Sequence, residues 1–290
     1  MALAEAERAD RAGHSDRPPA SQRPRRTPVG WVRDHIVLIA GLLALLYLLI
    51  PNIIVVALSF NRPEGRFNYN WNQFSLDAWT NPCAVAGMCD ALGLSLRIAV
   101  LSTIVAVILG TLAAFALSRH RFRGRGGTNV LIFFPMATPE VVMGSSLLAL
   151  FVNMSVIPLG FWTILIAHIM FLLSYVIVTV KARLAVLDPR LEEAAMDLYA
   201  DERTTFWRVT FPLALPGIVA GALLAFALSF DDFIITNFNA GSEVTFPMFV
   251  WGAAQRGMPP QVNVIGTMMF LAALTAVLIG QLAGRRRRIR

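Results

Sequence analysis

The chain has 290 residues, 56% of them hydrophobic and only 15% charged, with a mean hydropathy of +0.61. Soluble domains carry about 25% charged residues, so an ordinary soluble fold is excluded. A net charge of +7 could suggest a nucleic-acid partner, but the arginines gather at the ends of apolar runs, as in a topology signal.

Residues 1–34 are rich in Arg, Ala, Ser and Pro and lack apolar periodicity, which reads as a disordered cytoplasmic tail. This tail is too long for a signal-peptide n-region and the next apolar run is too long for an h-region, so that run should stay uncut. Six runs follow that are long enough to cross a ~30 Å hydrocarbon core as helices. They are His35–Phe60, Leu92–Leu117, Thr128–Phe151, Ile157–Val180, Leu213–Thr236 and Val264–Gly284. Strand-type alternation is absent, so the expected fold class is all-α, a polytopic membrane bundle of six transmembrane helices over residues 35–284.

Arginines cluster before the first run (Arg23, Arg25, Arg26, Arg33) and between the second and third (Arg119, Arg121, Arg123, Arg125). They recur in the basic tail 285–290, at Arg285 to Arg288 and Arg290. The alternate segments hold only Arg62, Arg66 and Arg256. This positive-inside pattern is expected to put both termini in the cytoplasm and leaves no need for nucleic acid.

The first outward loop, 61–91, contains Cys83 and Cys89, the only cysteines. An oxidising compartment favours a disulfide between them over two unpaired thiols. Neither reading gives a metal or catalytic site, because no His or Asp constellation accompanies them. Pro51, Pro135, Pro139 and Pro216 fall in spans, where neighbouring helices can satisfy the freed backbone groups. Small residues at Gly110, Thr111, Ala113 and Ala114, and at Gly217, Ala220, Gly221 and Ala222, mark faces for close helix packing.

Three carboxylates fall inside spans: Glu140 in the third, Asp231 and Asp232 in the fifth. Ionisable groups at that depth are costly and normally face a cavity or a partner. Along a straight helix Glu140 would sit ~18 Å and Asp231 ~27 Å from the inward end. Spans three and five hold no Lys or Arg, so a pathway there would favour cations. Phe230 and Phe233 could lie along methylene chains or ammonium groups, although an interfacial aromatic belt is the commoner arrangement. Asp231 and Asp232 could equally cap backbone at the outer interface. Adjacent helix residues diverge by ~100°, so one of the two at most should face a central path. His168 reads as a hydrogen-bonded packing histidine.

Between the fourth and fifth spans lies a charged inward insert, about 184–212. Leu191, Ala194, Ala195 and Leu198 recur at helical spacing, opposite Glu192, Glu193 and Asp197. Asp188 and Pro189 are a helix-start signal. A second amphipathic piece, 202–209, precedes Phe211-Pro212 and the return to the membrane. Helices that lie on a bilayer usually carry Lys and Arg on the polar face. This one is acidic, so docking into a protein cleft fits better. No GxxxxGK[ST] phosphate loop is present and the single lysine, Lys181, follows no glycine-rich loop. No cofactor is expected, and the chain is expected to be no enzyme.

The insert resembles the EAA loop of ATP-binding-cassette importer permeases. Glu193, Ala194, Ala195 and Pro212 match its signature, Val209 and Phe211 stand at its Ile and Leu positions, and Tyr199 replaces its usual Gly. FPMATPEVVMG (134–144), SFDDFIITNFNAG (229–241), TFP (245–247) and PPQVN (259–263) are similar to polyamine-type (spermidine/putrescine) permeases. The resemblance implies a type I importer permease that pairs with a second permease. It further implies two ATPase subunits on the helix of Glu192, Glu193, Ala194, Ala195, Asp197, Leu198, Tyr199 and Ala200, and an extracytoplasmic binding protein that delivers solute. The competing classes are a proton- or sodium-coupled secondary transporter using Glu140 and Asp231, an importer permease for another solute, and a membrane scaffold. The secondary transporter would call for an inverted repeat, which the halves do not display.

Overall fold

The structure is a computed structural model that describes residues 28–288 apart from 121 and 155. The expected tail over residues 1–27 lies outside the described residues. The chain divides into two units, Met1–Ile54 and Val55–Arg290. The described part of the first unit is helical, beginning α1 (Pro28–Leu58), so helix occupies positions 28–34 that the sequence reading gave to the tail. Pro51 lies inside α1, where its missing N–H interrupts one hydrogen bond.

The second unit begins with the loop segment expected to face outward. A two-residue hairpin pairs β1 (Asn61–Arg62) with β2 (Gln73–Phe74), antiparallel, with Asn61 opposite Phe74. This is a small departure from the all-α expectation. The hairpin loop is held by Asn61, whose Nδ2 donates to Asn68 Oδ1 (2.6 Å) and the Asn70 carbonyl (2.7 Å). After α2 (Asp77–Thr80), Cys83 and Cys89 are joined by a disulfide across Cα atoms 5.6 Å apart.

α3 (Met88–Arg119), α6 (Phe161–Ala185) and α9 (Phe211–Asp231) make the centre of the unit. The apolar window of α6 is 61% buried, against 39% for α3, so α6 is the axis on which the others pack. Its Leu172, Val176 and Val180 are fully buried. Gly110 of α3 makes that packing possible, since a Cβ there would lie 2.7 Å from Val176 Cγ1. Gly217 and Gly221 of α9 are likewise buried, so both small-residue faces serve packing within the chain.

The third expected span is not one helix. It divides into α4 (Arg125–Ala137) and α5 (Glu140–Met154), bent by 103° at the break. Pro139 excludes the α-region for the preceding residue, and Thr138 is accordingly extended at φ −80°, ψ 132°. The fifth span departs in two ways. Its helix starts far earlier, at α8 (Glu202–Thr205), and runs through a π-turn at Phe206–Thr210 straight into α9. The second amphipathic piece of the insert and the fifth span are therefore one continuous helical run. The wider π-turn accommodates Pro212, which cannot donate a helical hydrogen bond. The helix then stops at Asp231 and a separate α10 (Ile234–Asn239) follows.

α11 (Phe246–Arg256) lies between α10 and the last long helix, packed with Met88 in one apolar cluster. α12 (Pro260–Arg288) extends helix through most of the expected basic tail. Among the described residues five helices are long and apolar enough to cross a membrane, or six if the bent pair counts as one span.

Candidate functional site

The three carboxylates expected in spans sit at two helix breaks. Glu140 is the first residue of α5 and is exposed. The 103° bend before it means that helix rise cannot be summed to its position, which replaces the ~18 Å expected along a straight span. A carboxylate in a first helical turn also suits the helix dipole. Asp231 and Asp232 both lie within electrostatic reach of Glu140, as does Tyr175 of α6, a residue not singled out in the sequence. α5 reaches α10 closely, since a Cβ on Gly144 would lie 2.8 Å from Phe238 Cδ2. Asn239 Nδ2 donates to the Gly144 carbonyl at 3.4 Å across the same contact. The helix that follows the break in span three is thus packed against the helix that follows the break in span five.

Asp231 and Asp232 have different surroundings. Asp231 ends α9 with an exposed side chain. Asp232 is in extended conformation, φ −65° and ψ 123°, so the ~100° helical divergence does not describe this pair. Its side chain turns inward and only 5% of it is exposed. Asp232 Oδ2 accepts hydrogen bonds from Thr236 N (2.8 Å) and Thr236 Oγ1 (2.7 Å), and lies 3.3 Å from His168 Nε2. His168 Nδ1 is 2.7 Å from Ser229 Oγ, which is 3.0 Å from Ser102 Oγ. These polar groups tie α3, α6, α9 and α10 together inside the bundle, where an unsatisfied group would be costly. The capping alternative describes Asp232, and His168 is the packing histidine expected.

Neither aromatic stands free beside the carboxylates. The Phe230 ring is 6.2 Å from that of Phe246, and Phe233 is 5.4 Å from Trp251. Arg97 lies on α3, exposed, with Nε donating to the Gly93 carbonyl at 3.2 Å. It is a basic residue within the second expected span, beside the acidic spans three and five.

The charged insert forms α7 (Arg190–Asp197), which ends three residues before the expected helix, Glu192–Ala200. Asp188 Oδ1 accepts from Arg190 N at 3.0 Å, as the start signal implied. Leu198 closes the helix and Tyr199 turns the chain at φ 65°, which is why the helix cannot run on. α7 buries none of its residues: Glu193, Ala194 and Asp197 are exposed, and so are Leu191 and Met196. Its apolar stripe is open to a partner.

Glu192 is engaged within the chain instead. Its Oε1 lies 2.5 Å from Arg119 Nη2 at the end of α3, and accepts from Thr210 Oγ1 of the π-turn at 2.8 Å. The Phe206 ring of the same turn packs edge-on to Phe115 of α3, 5.4 Å away. α7 is thereby fastened to two spans. Beyond it Asp201 caps α8, and hydrogen bonding from Thr204 holds its carboxyl below the usual carboxylate range. Among the described residues no group of three His, Cys, Asp or Glu is placed to hold a metal ion.

The family described as "Binding-protein-dependent transport system inner membrane component" matches residues 106–286. The Spermidine/putrescine transport system permease protein PotC of Haemophilus influenzae is 39% identical over 83% of this chain and 93% of its own length. The Putrescine transport system permease protein PotI of Escherichia coli K12 is 38% identical over 79% of this chain and 83% of its own. Among solved structures, a bacterial ABC transporter involved in alginate import covers 93% of this chain and 99% of its own, with a TM-score of 0.56 at 18% identity. An amino acid ABC transporter covers 72% of this chain and 95% of its own, with a TM-score of 0.55 at 17% identity. The two structures share the type I importer permease fold, and the family match spans the insert with its spans, so this chain belongs to the inner-membrane permease components of binding-protein-dependent transport systems.

Proposed function

We propose that this chain is one permease half of an importer for a small cationic solute, a polyamine such as spermidine or putrescine. The reading rests chiefly on one observation: Glu140 and Asp231, both exposed, stand at two helix breaks whose following helices pack together. Two carboxylates at separated points suit a linear polyammonium chain, whose charges are spaced by methylenes. The substrate classes named for PotC and PotI support the same choice. The exposed stripe of α7 supports docking of a separate ATPase, and its fastening to α3 and the π-turn supports transmission of the ATPase's motion to the spans. A second permease, two ATPase subunits and an extracytoplasmic binding protein complete the assembly, with both termini of this chain in the cytoplasm. ATP closure would switch the permease pair from inward-open to outward-open, and the chemistry of hydrolysis would stay on the partner.

The test is uptake by cells that lack their own polyamine import and express the chain with its partner subunits. Labelled spermidine or putrescine should accumulate, and unlabelled polyamine should compete while a neutral sugar does not. Accumulation of a sugar or an anion in place of the polyamine would overturn the substrate assignment.

A further inference from the structure

Tyr199 is the one non-glycine residue with a positive φ among those described, at 65°. An L-residue with a Cβ is strained in this region, whereas glycine adopts it freely. Nothing inside the chain offsets that strain: the Tyr199 side chain is fully exposed, at 101% of its reference area, and neighbouring Leu198 is 82% exposed. Only its backbone is used, with Tyr199 N donating to the Met196 carbonyl at 2.9 Å. A large ring held at a strained and solvated position is a net cost to the isolated chain.

We propose that Tyr199 is an aromatic anchor that inserts into an apolar pocket of the ATPase subunit, beside the cleft that takes α7. The proposal rests on the docking reading given above. The ring stands on a firm platform. Ala200 N donates to the Ala195 carbonyl at 3.1 Å, closing the turn, and Glu192 fastens α7 to Arg119 and Thr210. A pre-positioned aromatic loses little freedom on binding, which is why Tyr so often dominates protein interfaces. The surrounding charge identifies the occupant as protein. Asp188, Glu193, Asp197, Asp201 and Glu202 outnumber Arg190 and Arg203 around the turn, which opposes an anionic lipid surface. The complementary partner is a pocket with an apolar floor and a basic rim.

Tyr199→Gly removes the strain and the ring together, so a loss of binding cannot be laid to misfolding. In the assembled transporter it should weaken ATPase binding roughly tenfold or more, in the range of an interface hot spot. The thermal midpoint of the permease should be unchanged or higher. Tyr199→Phe keeps the ring and should retain most of the affinity. A Tyr199→Cys chain in vesicles should react with a maleimide, and added ATPase subunit should protect it. Undiminished ATPase binding by Tyr199→Gly would overturn the proposal. Protection of Tyr199→Cys in vesicles without the ATPase would also overturn it, placing the ring in lipid. Ala195→Arg separates the two levels. If it abolishes docking and Tyr199→Gly does not, the anchor fails and the docking reading stands; if neither weakens docking, that reading fails as well.

Discussion

Asp231 and Asp232 adjoin in sequence, yet one is exposed at the end of a helix and the other is buried against His168 and Thr236. Their substitutions should therefore fail differently. Glu140→Gln and Asp231→Asn remove charge at exposed positions with little change in shape. Uptake should fall about tenfold or more if each carboxylate meets an ammonium group, a contribution of roughly 1.4 kcal/mol or more. The complex should still assemble and its melting temperature should hold, as measured by labelled polyamine uptake beside a thermal scan of purified transporter. Asp232 accepts through both oxygens, from Ile235 N at Oδ1 and from Thr236 N and Oγ1 at Oδ2. Asp232→Asn leaves one acceptor oxygen and no charge, and hydrogen bonds to charged groups are worth about 1.5–3 kcal/mol. It should lower the melting temperature, and uptake would fall as a consequence. Unchanged stability in Asp232→Asn would remove the structural role assigned to that carboxylate. The presence of these carboxylates in spans was legible in the sequence. Which of the pair turns inward was not, because that depends on a histidine and a threonine brought from other elements.

At the scale of elements, α7 was legible from its apolar period, its acidic face and its start signal. Its length was not, because the stop is made by backbone strain at Tyr199, a residue with no reputation for ending helices. Ala195 lies near the middle of α7, outside any apolar span, so Ala195→Arg should leave membrane insertion intact. The long charged side chain should block seating in the cleft. ATPase recovered on the purified permease should drop to background, and uptake should stop. Normal co-purification would refute α7 as the docking element. Glu192 lies one residue before the matched Glu193-Ala194-Ala195 motif. It is an acidic residue of α7 engaged by Arg119 and Thr210, so its substitution should loosen α7 from the bundle rather than remove a contact to the partner. The pair is partly exposed, and such ion pairs contribute at most about 1 kcal/mol. Glu192→Gln should therefore act weakly on ATPase binding, measurably less than Ala195→Arg.

For the molecule as a whole, the absence of a phosphate-cradling loop predicts that the purified chain neither binds nor hydrolyses ATP. Turnover by the isolated chain, abolished by a mutation within it, would contradict its role as a transmitting subunit. The sequence by itself determined the membrane class, the order of the apolar runs and the acidic insert. Each of these is set by local composition against a solvent boundary, and a hydrocarbon layer tests every segment separately. Only the tertiary structure decided where the spans break. Pro139 and Pro212 offer the same local defect, a missing donor, yet the chain bends by 103° at the first and runs on through a π-turn at the second. A proline's outcome in a membrane depends on which neighbours satisfy the freed carbonyls, and those neighbours are set by packing. The same reason explains the site: Glu140 and Asp231 come together because α5 packs onto α10 at Gly144, a contact between distant segments that no single window of sequence contains.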